Sequence, residues 1–259
     1  VGRNFGNKIW NATRLALSHM EGFNPATADL RRLPLEAVDR WLLTRLDDVV
    51  SDTTRDLENF RYNEAARGLY EFVWGEFCDW YLEFAKRRFY LEGGEEREAA
   101  RAVTWHALAT IFHLLHPFMP FLTEELWSFL PGVAEGDLLI RRPWPTPGAF
   151  PRDERAVESV ALVREAITAV RNLRSEMNVA PGKEVEVSIR ATARETGILN
   201  DLSGYLTALA RVSHLTVAPD APRPRVAAAA VSGEMEIFLS LTGAIDLDAE
   251  RERLTKELG

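Results

Sequence analysis

The chain has 259 residues, of which 46% are hydrophobic and 27% charged, and its formal net charge is −8. This length allows one large or two modest domains, each with a buried core. The acidic balance argues against nucleic-acid binding over the whole surface but permits a local basic face. The single cysteine, Cys78, excludes an intramolecular disulfide framework, and no apolar run is long enough to span a bilayer. We therefore expect a cytoplasmic protein without a membrane partner.

The N-terminal part of the chain is predicted to be helical, because apolar residues recur there at a period near 3.6. The second of these helices is predicted to start at Pro34, since proline is favoured in a first helical turn. Long consecutive helices joined by short loops indicate an antiparallel helical bundle over residues 1–150. The predicted helices cover approximately residues 2–20, 34–59, 62–91, 95–116 and 123–130.

A proline-rich connection over residues 131–150 precedes a bridging helix at about residues 152–177. We place the domain boundary in this connection or in that helix. Residues 151–245 are predicted to form the bridging helix and a small mixed α/β module, because alternation at Val185, Val187 and Ile189 indicates a half-buried strand. A helix at about 195–210 and three strands follow, and Ser232-Gly233 can close a hairpin between the last two strands. Residues 246–259 are predicted to begin a coiled coil.

The first helix carries a polar face that reverses the sign of the overall charge. Asn4, Asn7, Lys8, Asn11 and Arg14 recur at three- and four-residue spacing, so they share one side of a helix, and no acid precedes Glu21. Lys and Arg neutralise phosphate, while asparagine amides offer paired donors and acceptors to base edges. This combination predicts recognition of a nucleic acid that is also read for base identity.

The run from Val1 to Arg14 closely resembles the start of the anticodon-binding domain of valyl-tRNA synthetases, which are class I aminoacyl-tRNA synthetases. The block Phe-Cys-Asp-Trp-Tyr ending at Tyr81 resembles the valine enzymes in particular, whereas the His-Pro-Phe-Met-Pro-Phe block from His116 is shared with the isoleucine and leucine enzymes. The resemblance covers nearly the whole chain. Its other stretches begin at Asp39, Tyr62, Val170 and Gly243.

The resemblance implies the C-terminal part of a valine–tRNA ligase, an ATP-dependent enzyme. The family's His-Ile-Gly-His-like and Lys-Met-Ser-Lys-Ser-like signatures are missing from the sequence. We therefore expect no cofactor in this fragment, since ATP is used by the catalytic domain of the parent enzyme, and no activity from the fragment alone. The expected partners are valine tRNA and the enzyme's own catalytic domain, and the expected state is a monomer.

The candidate anticodon-binding residues all lie on the first helix: Asn4, Asn7, Lys8, Asn11, Arg14 and Leu15. Leu15 is expected to pack beneath an unstacked base. Valine anticodons share A and C at their second and third positions, so these two bases are what a valine-specific module must read. We expect additional RNA contacts from a second set of residues: Arg3, Arg61, Asn63, Arg171 and Arg174.

No pattern in the sequence indicates catalysis or metal binding. His113 and His116 lie three residues apart on one predicted helix, but no second ligand pair accompanies them. The aromatic residues of the third helix occur at core spacing, which favours packing over stacking on RNA. Two alternatives remain open: a non-catalytic helical protein-interaction scaffold, favoured by the acidic charge, and the equivalent fragment of isoleucyl-tRNA synthetase.

Overall fold

A computed structural model describes residues 2–243 of the chain. The predicted start of a coiled coil at residues 246–259 lies outside this range. The fold is mainly helical with a small mixed four-stranded sheet, as the sequence predicts. The described residues form two compact units, and the boundary falls between Val157 and Glu158. Within residues 2–243, no helix combines the length and the apolar character needed to cross a membrane.

The first unit is built from helices. A π-helical stretch, Phe72–Tyr81, joins α3 to α4 without a break and is called the π segment below; a short 3₁₀ turn follows at Leu139–Arg141. The single long helix predicted at 62–91 is therefore an α-helix, a π-helix and a second α-helix in succession. The α-helices are α1 (Gly2–Leu17), α2 (Ala37–Glu58), α3 (Tyr62–Glu71), α4 (Leu82–Phe89), α5 (Glu95–Leu115) and α6 (Pro120–Ser128).

The start of α2 differs from the prediction at Pro34, because a capping box fixes it three residues later. Glu36 has an extended backbone, and its side chain accepts from the backbone of Asp39, while the Asp39 carboxylate accepts from the Glu36 N–H at 2.9 Å. Such reciprocal capping satisfies two N–H groups that the helix itself cannot pair. Pro34 lies in the preceding turn.

A buried ion pair links the beginning of α2 to α4. Asp39 is fully buried and accepts from the two terminal guanidinium nitrogens of Arg88 at 2.5 and 2.7 Å. The hydroxyl of Tyr81 donates to the same carboxylate at 2.9 Å, and burial raises the pKa of Tyr81 well above its ordinary value. The ring of Phe77 stacks on that of Tyr81 with centroids 6.2 Å apart, and Trp41 and Phe84 are buried and meet edge to face.

The second unit packs around a four-stranded sheet with strand order β2-β1-β4-β3. β1 (Val185–Arg190) pairs in parallel with β2 (Val212–Val217) and antiparallel with β4 (Met235–Ser240), which also pairs antiparallel with β3 (Ala227–Ser232). Helix α7 (Glu154–Glu176) begins in the first unit and continues into the second. The helix predicted at 195–210 is two helices, α8 (Ala193–Asp201) and α9 (Ser203–Ala210), interrupted at Leu202.

The predicted hairpin between the last two strands is confirmed, with its turn shifted by one residue. Ser232 pairs with Met235, so Gly233 and Glu234 form the two-residue loop. Gly233 has a φ of +58°, a conformation that two-residue hairpin turns require and that glycine adopts without steric cost.

Candidate nucleic-acid interface

Helix α1 separates an apolar side from a polar side. The side chains at one set of helical positions are buried in the first unit: Phe5, Ile9, Ala12, Thr13 and Ala16. Asn4, Asn7, Asn11 and Arg14 occupy the opposite side and are exposed. Because Cβ atoms three and four residues apart lie one above the other, these four residues form a continuous strip, called the α1 face below.

The polar side chains of the α1 face are not engaged by other side chains of the described structure. Among residues 2–243, the side chains of Asn4, Asn7, Asn11 and Arg14 make no hydrogen bond or ion pair with another side chain. Helix α1 has no acid in its first turn and carries Arg14 in its last turn, where the helix dipole favours a cation. An exposed row of amides ending in a guanidinium can therefore bind an external anion without first breaking an internal contact.

One border of the α1 face is the π segment, which holds Lys8. The Lys8 ammonium lies 2.5 Å from a carboxylate oxygen of Asp79 and 5.2 Å from the centroid of the Trp74 ring. Trp74 and Asp79 are five residues apart, which would put them on different sides of an α-helix. The i to i+5 winding of a π-helix brings them together around one lysine. Lys8 is thus half-buried and engaged, unlike Arg14.

The other border of the α1 face is aromatic. The rings of Trp10 and Phe129, the residue that directly follows α6, meet edge to face with centroids 6.3 Å apart. Trp10 is partly exposed and lies three residues after Asn7 and four before Arg14. Reasoning from the sequence did not select Trp10, although this spacing places it beside the polar residues. Leu15 is half-buried on the same helix.

The turn between α2 and α3 carries two more of the predicted contacts. Arg61 donates to a carboxylate oxygen of Asp56 at 2.5 Å, whereas Asn63 is exposed in the first turn of α3. Arg3 is exposed on α1 itself. Phe60, which precedes Arg61, is exposed and has a φ of +57°. A bulky residue rarely adopts this left-handed conformation, and no sequence pattern indicated it.

Arg171 and Arg174 lie on α7 and make internal contacts in the second unit. Arg171 donates twice to the carbonyl of Leu209, at 3.0 and 3.1 Å. Arg174 is 8% exposed and donates to the carbonyls of Arg211, Ala180 and Lys183, the last at 2.7 Å. Burial, followed by the charge of Arg211, lowers the pKa of Arg174. Arg174 thus connects the loop at residues 180–183 to the backbone at Arg211.

The titratable groups of the first unit show the influence of burial. Burial raises the pKa of the Cys78 thiol to about 12, and the neighbouring Lys8 opposes that rise. Burial lowers the pKa of His106 and of His113, whose Nδ1 lies 2.7 Å from the carbonyl oxygen of Ala109. Among the residues that the structure describes, no group of three or more His, Cys, Asp or Glu side chains is placed to hold a metal ion.

Comparison with known proteins gives a consistent result. A family model described as "Anticodon-binding domain of tRNA ligase" matches residues 39–189. The valine–tRNA ligases of Syntrophotalea carbinolica and Geobacter sulfurreducens are each 41% identical to the chain, and that of Carboxydothermus hydrogenoformans is 44% identical.

Each of these alignments covers 99% of the chain, including α1, which precedes the residues matched by the family model, but only 29% of the relative. The chain therefore spans less than a third of the length of the curated relatives that it matches. These matches confirm the resemblance that the sequence motifs carry. The chain belongs to the family of anticodon-binding domains of tRNA ligases.

Proposed function

We propose that this chain is the tRNA-binding C-terminal portion of a valine–tRNA ligase and that it recognises the anticodon stem-loop of valine tRNA. The observation that carries the proposal is the α1 face, an acid-free row of exposed amides and a guanidinium on a chain of net charge −8. The family of the chain and the names of its relatives support the same assignment.

The α1 face suits an unpaired loop of RNA. Arg14 supplies the charge that neutralises a phosphate. Asn4, Asn7 and Asn11 are separated by about 4.5 and 6 Å along the helix axis, given a rise of about 1.5 Å per residue. Neighbouring amides can thus meet neighbouring bases of a splayed loop. Asparagine pairs well with adenine, which is the middle base of every valine anticodon.

Lys8 and Leu15 have different roles in this proposal. Lys8, held by Asp79 and Trp74, fixes the side of α1 that faces the RNA, and its remaining N–H groups stay within reach of a phosphate. Leu15 offers a half-buried apolar surface on which an unstacked base can rest. Arg3, Arg61 and Asn63 extend the contact beyond the α1 face.

The proposal includes an antiparallel helical bundle in the first unit. Contacts pair Asp39 with Arg88 and Arg45 with Glu76, so residue numbers rise along α2 while they fall along its partner, which supports an antiparallel bundle. We assign a further tRNA contact to the coiled coil expected from residue 246. Valine activation with ATP belongs to the catalytic domain of the parent enzyme, a cytoplasmic monomer in which this chain acts only as the RNA-binding part.

The direct test is binding of a valine anticodon stem-loop, compared with a stem-loop whose middle base is changed, between about 50 and 200 mM salt. We expect preferential binding that weakens as salt rises. Arg14→Ala should weaken both complexes and reduce the salt dependence by about one phosphate contact. Asn11→Ala should reduce the preference itself, by about 1–3 kcal/mol if this amide reads the base.

Arg31→Ala is the matched control, because it removes an exposed arginine from the loop outside α1. Equal binding of the two stem-loops, or equal effects of the two arginine substitutions, would refute anticodon reading by the α1 face. Preference for an isoleucine anticodon would indicate the isoleucine enzyme. Absence of salt-dependent binding would instead favour a protein-interaction scaffold.

A further inference from the structure

A cavity of about 490 Å³ opens in the first unit beside α5 and α6 and is called the indole cavity below. Pro25 and Gly132 form part of its wall, and they lie so close that a Cβ added at Gly132 would be 2.7 Å from the proline ring. Its volume falls within the range of about 300–1,000 Å³ that is usual for small-molecule sites. Four aromatic rings line it: Trp105, His106, His113 and Trp127.

Hydrogen bonds within the protein hold the two indoles in place. The N–H of Trp105 donates to the carbonyl of Pro131 at 3.0 Å, and the N–H of Trp127 donates to the carbonyl of Asp137 at 3.1 Å. The wall is therefore formed before a ligand arrives, which lowers the ordering cost of binding. Because both N–H groups are already paired, the indoles offer a ligand only their ring surfaces.

The rings of the indole cavity favour a flat ligand. The ring of His113 meets that of Trp127 edge to face with centroids 5.3 Å apart, and the ring of His106 meets that of Trp105 in the same way at 5.1 Å. Aromatic rings prefer such edge-to-face or offset stacked contacts with one another. A planar aromatic ligand continues this packing, whereas a saturated ring does not.

The two imidazoles add hydrogen-bonding groups that the protein does not use. Nδ1 of His113 lies 2.7 Å from the carbonyl oxygen of Ala109, which can only accept, so Nδ1 carries the proton and Nε2 remains an acceptor. His106 makes no hydrogen bond among residues 2–243. Burial lowers the pKa of both rings, so both are neutral at pH 7 and His106 can donate and accept. A purely apolar ligand would leave these nitrogens unpaired, which is unfavourable.

The charge of the indole cavity argues against a ligand that carries phosphate. Among the described residues that line it, Arg142 is the one with a full charge. Its guanidinium pairs with the Asp137 carboxylate and lies 5.9 Å from the centroid of the Trp127 ring. The cavity therefore offers no free cation to a phosphate. A free ring fits it better than a base of RNA, which brings its phosphates with it.

We propose that the indole cavity binds a free, uncharged, planar nitrogen heterocycle of purine size. The ring packs against the indoles of Trp105 and Trp127, while its nitrogens exchange hydrogen bonds with His106 and His113. No described residue of α1 lines the cavity, so this site is distinct from the α1 face. The inference goes beyond anticodon recognition and does not depend on it.

The test is fluorine NMR of the 259-residue chain labelled with 5-fluorotryptophan, with the seven signals assigned by single Trp→Phe substitutions. Adenine is the probe. Its titration should shift the signals of Trp105 and Trp127 saturably and leave that of Trp74, beside the α1 face, unchanged. Indene has the same fused-ring shape without nitrogen and should bind at least about fivefold more weakly, since it makes no hydrogen bond. Adenosine monophosphate should also bind more weakly than adenine.

His106→Phe should weaken adenine binding several-fold and leave indene binding unchanged, because the variant keeps a ring but loses the imidazole nitrogens. Unchanged indene binding also shows that the cavity keeps its shape in this variant. His214→Phe, which replaces an exposed histidine of β2, is the matched control and should affect neither ligand.

A valine anticodon stem-loop should not displace adenine, and displacement would mean that the ring belongs to RNA. The proposal would also be overturned by adenine shifts as large at Trp74 as at Trp105, or by no shift at either. Equal affinity for indene, tighter binding of the monophosphate, or equal weakening of both ligands in His106→Phe would do the same.

Discussion

At the scale of single residues, the two cations expected to meet RNA differ in their surroundings. Both Lys8 and Arg14 occur at the spacing that places them beside the asparagines of α1. Arg14 is exposed and has no carboxylate partner among the described residues, whereas Lys8 is shared between Asp79 and Trp74. The helical period predicts which side of α1 a residue occupies. It contains no information about a carboxylate 71 positions away in sequence.

We expect Asp79→Asn to change the selectivity of the α1 face. Removing the carboxylate frees the Lys8 ammonium, so binding of the stem-loop with the changed middle base should rise more than binding of the valine stem-loop. The preference should fall by at most about fivefold, since a partly exposed ion pair contributes no more than about 1 kcal/mol. Fluorescence anisotropy with both stem-loops measures this ratio.

The control for that experiment is Glu71→Gln, which removes one exposed acid from the end of α3 without touching Lys8. This substitution should strengthen binding of both stem-loops equally, through the general electrostatic attraction alone. An unchanged preference in Asp79→Asn would mean that the ion pair does not position α1.

At the scale of elements, the buried pair of Asp39 and Arg88 determines how α2 joins α4. Removal of one partner leaves an uncompensated charge in the core, which is costly even where the intact pair contributes little. Asp39 also caps α2, so the same carboxylate serves the helix start and the tertiary contact. This double role explains why α2 begins at Ala37 and not at Pro34.

Asp39→Asn should lower the free energy of unfolding of the first unit by about 3–5 kcal/mol, because Arg88 would remain charged and buried. Urea titration followed by tryptophan fluorescence reports on this unit alone, since all seven tryptophans precede residue 158. Asp48→Asn is the comparison, because Asp48 is a partly exposed partner of Arg45 and Arg152, and it should cost about 1 kcal/mol or less. Similar losses in both variants would contradict a special role for the buried pair.

The π segment shows what the sequence could not specify. A repeat near 3.6 predicts that residues 62–91 are helical, and they are helical over nearly that range. Between Phe72 and Tyr81, however, aromatic and apolar side chains occur on several sides, so the pattern does not distinguish i+4 from i+5 contacts. The winding is decided by tertiary packing, and with it the pairing of Trp74 and Asp79 around Lys8.

At the scale of the whole molecule, the sequence predicted the mainly helical fold and the family, because long periodic segments and ordered motif blocks carry both. Side-chain destinations were harder to predict. Arg171 and Arg174 have the spacing of an RNA-binding pair, yet the Arg174 guanidinium donates hydrogen bonds to three backbone carbonyls. Whether an arginine meets a ligand or a loop depends on unpaired carbonyls nearby, which only the folded chain reveals.

The whole-molecule balance of charge also has a meaning that the total of −8 conceals. The first 20 residues contain cations and no acid, whereas one cavity of the same unit is lined by four acids: Glu124, Glu125, Glu135 and Asp137. The α1 face is therefore a local exception in an acidic protein, and the high net negative charge limits nonspecific binding of RNA elsewhere.

The buried thiol of Cys78 makes it possible to measure how often the π segment opens. Because only the thiolate reacts and burial raises its pKa to about 12, a thiol reagent should modify this sole cysteine only when the surrounding structure opens. We expect the modification rate to increase in Asp79→Asn and to decrease when a valine stem-loop occupies the α1 face. Thiol labelling that is quenched at set times and read by mass spectrometry measures both rates. Identical rates with and without the stem-loop would show that opening of the π segment is independent of RNA. The reactivity of one sulfur atom thus reports how often α1 separates from the π segment.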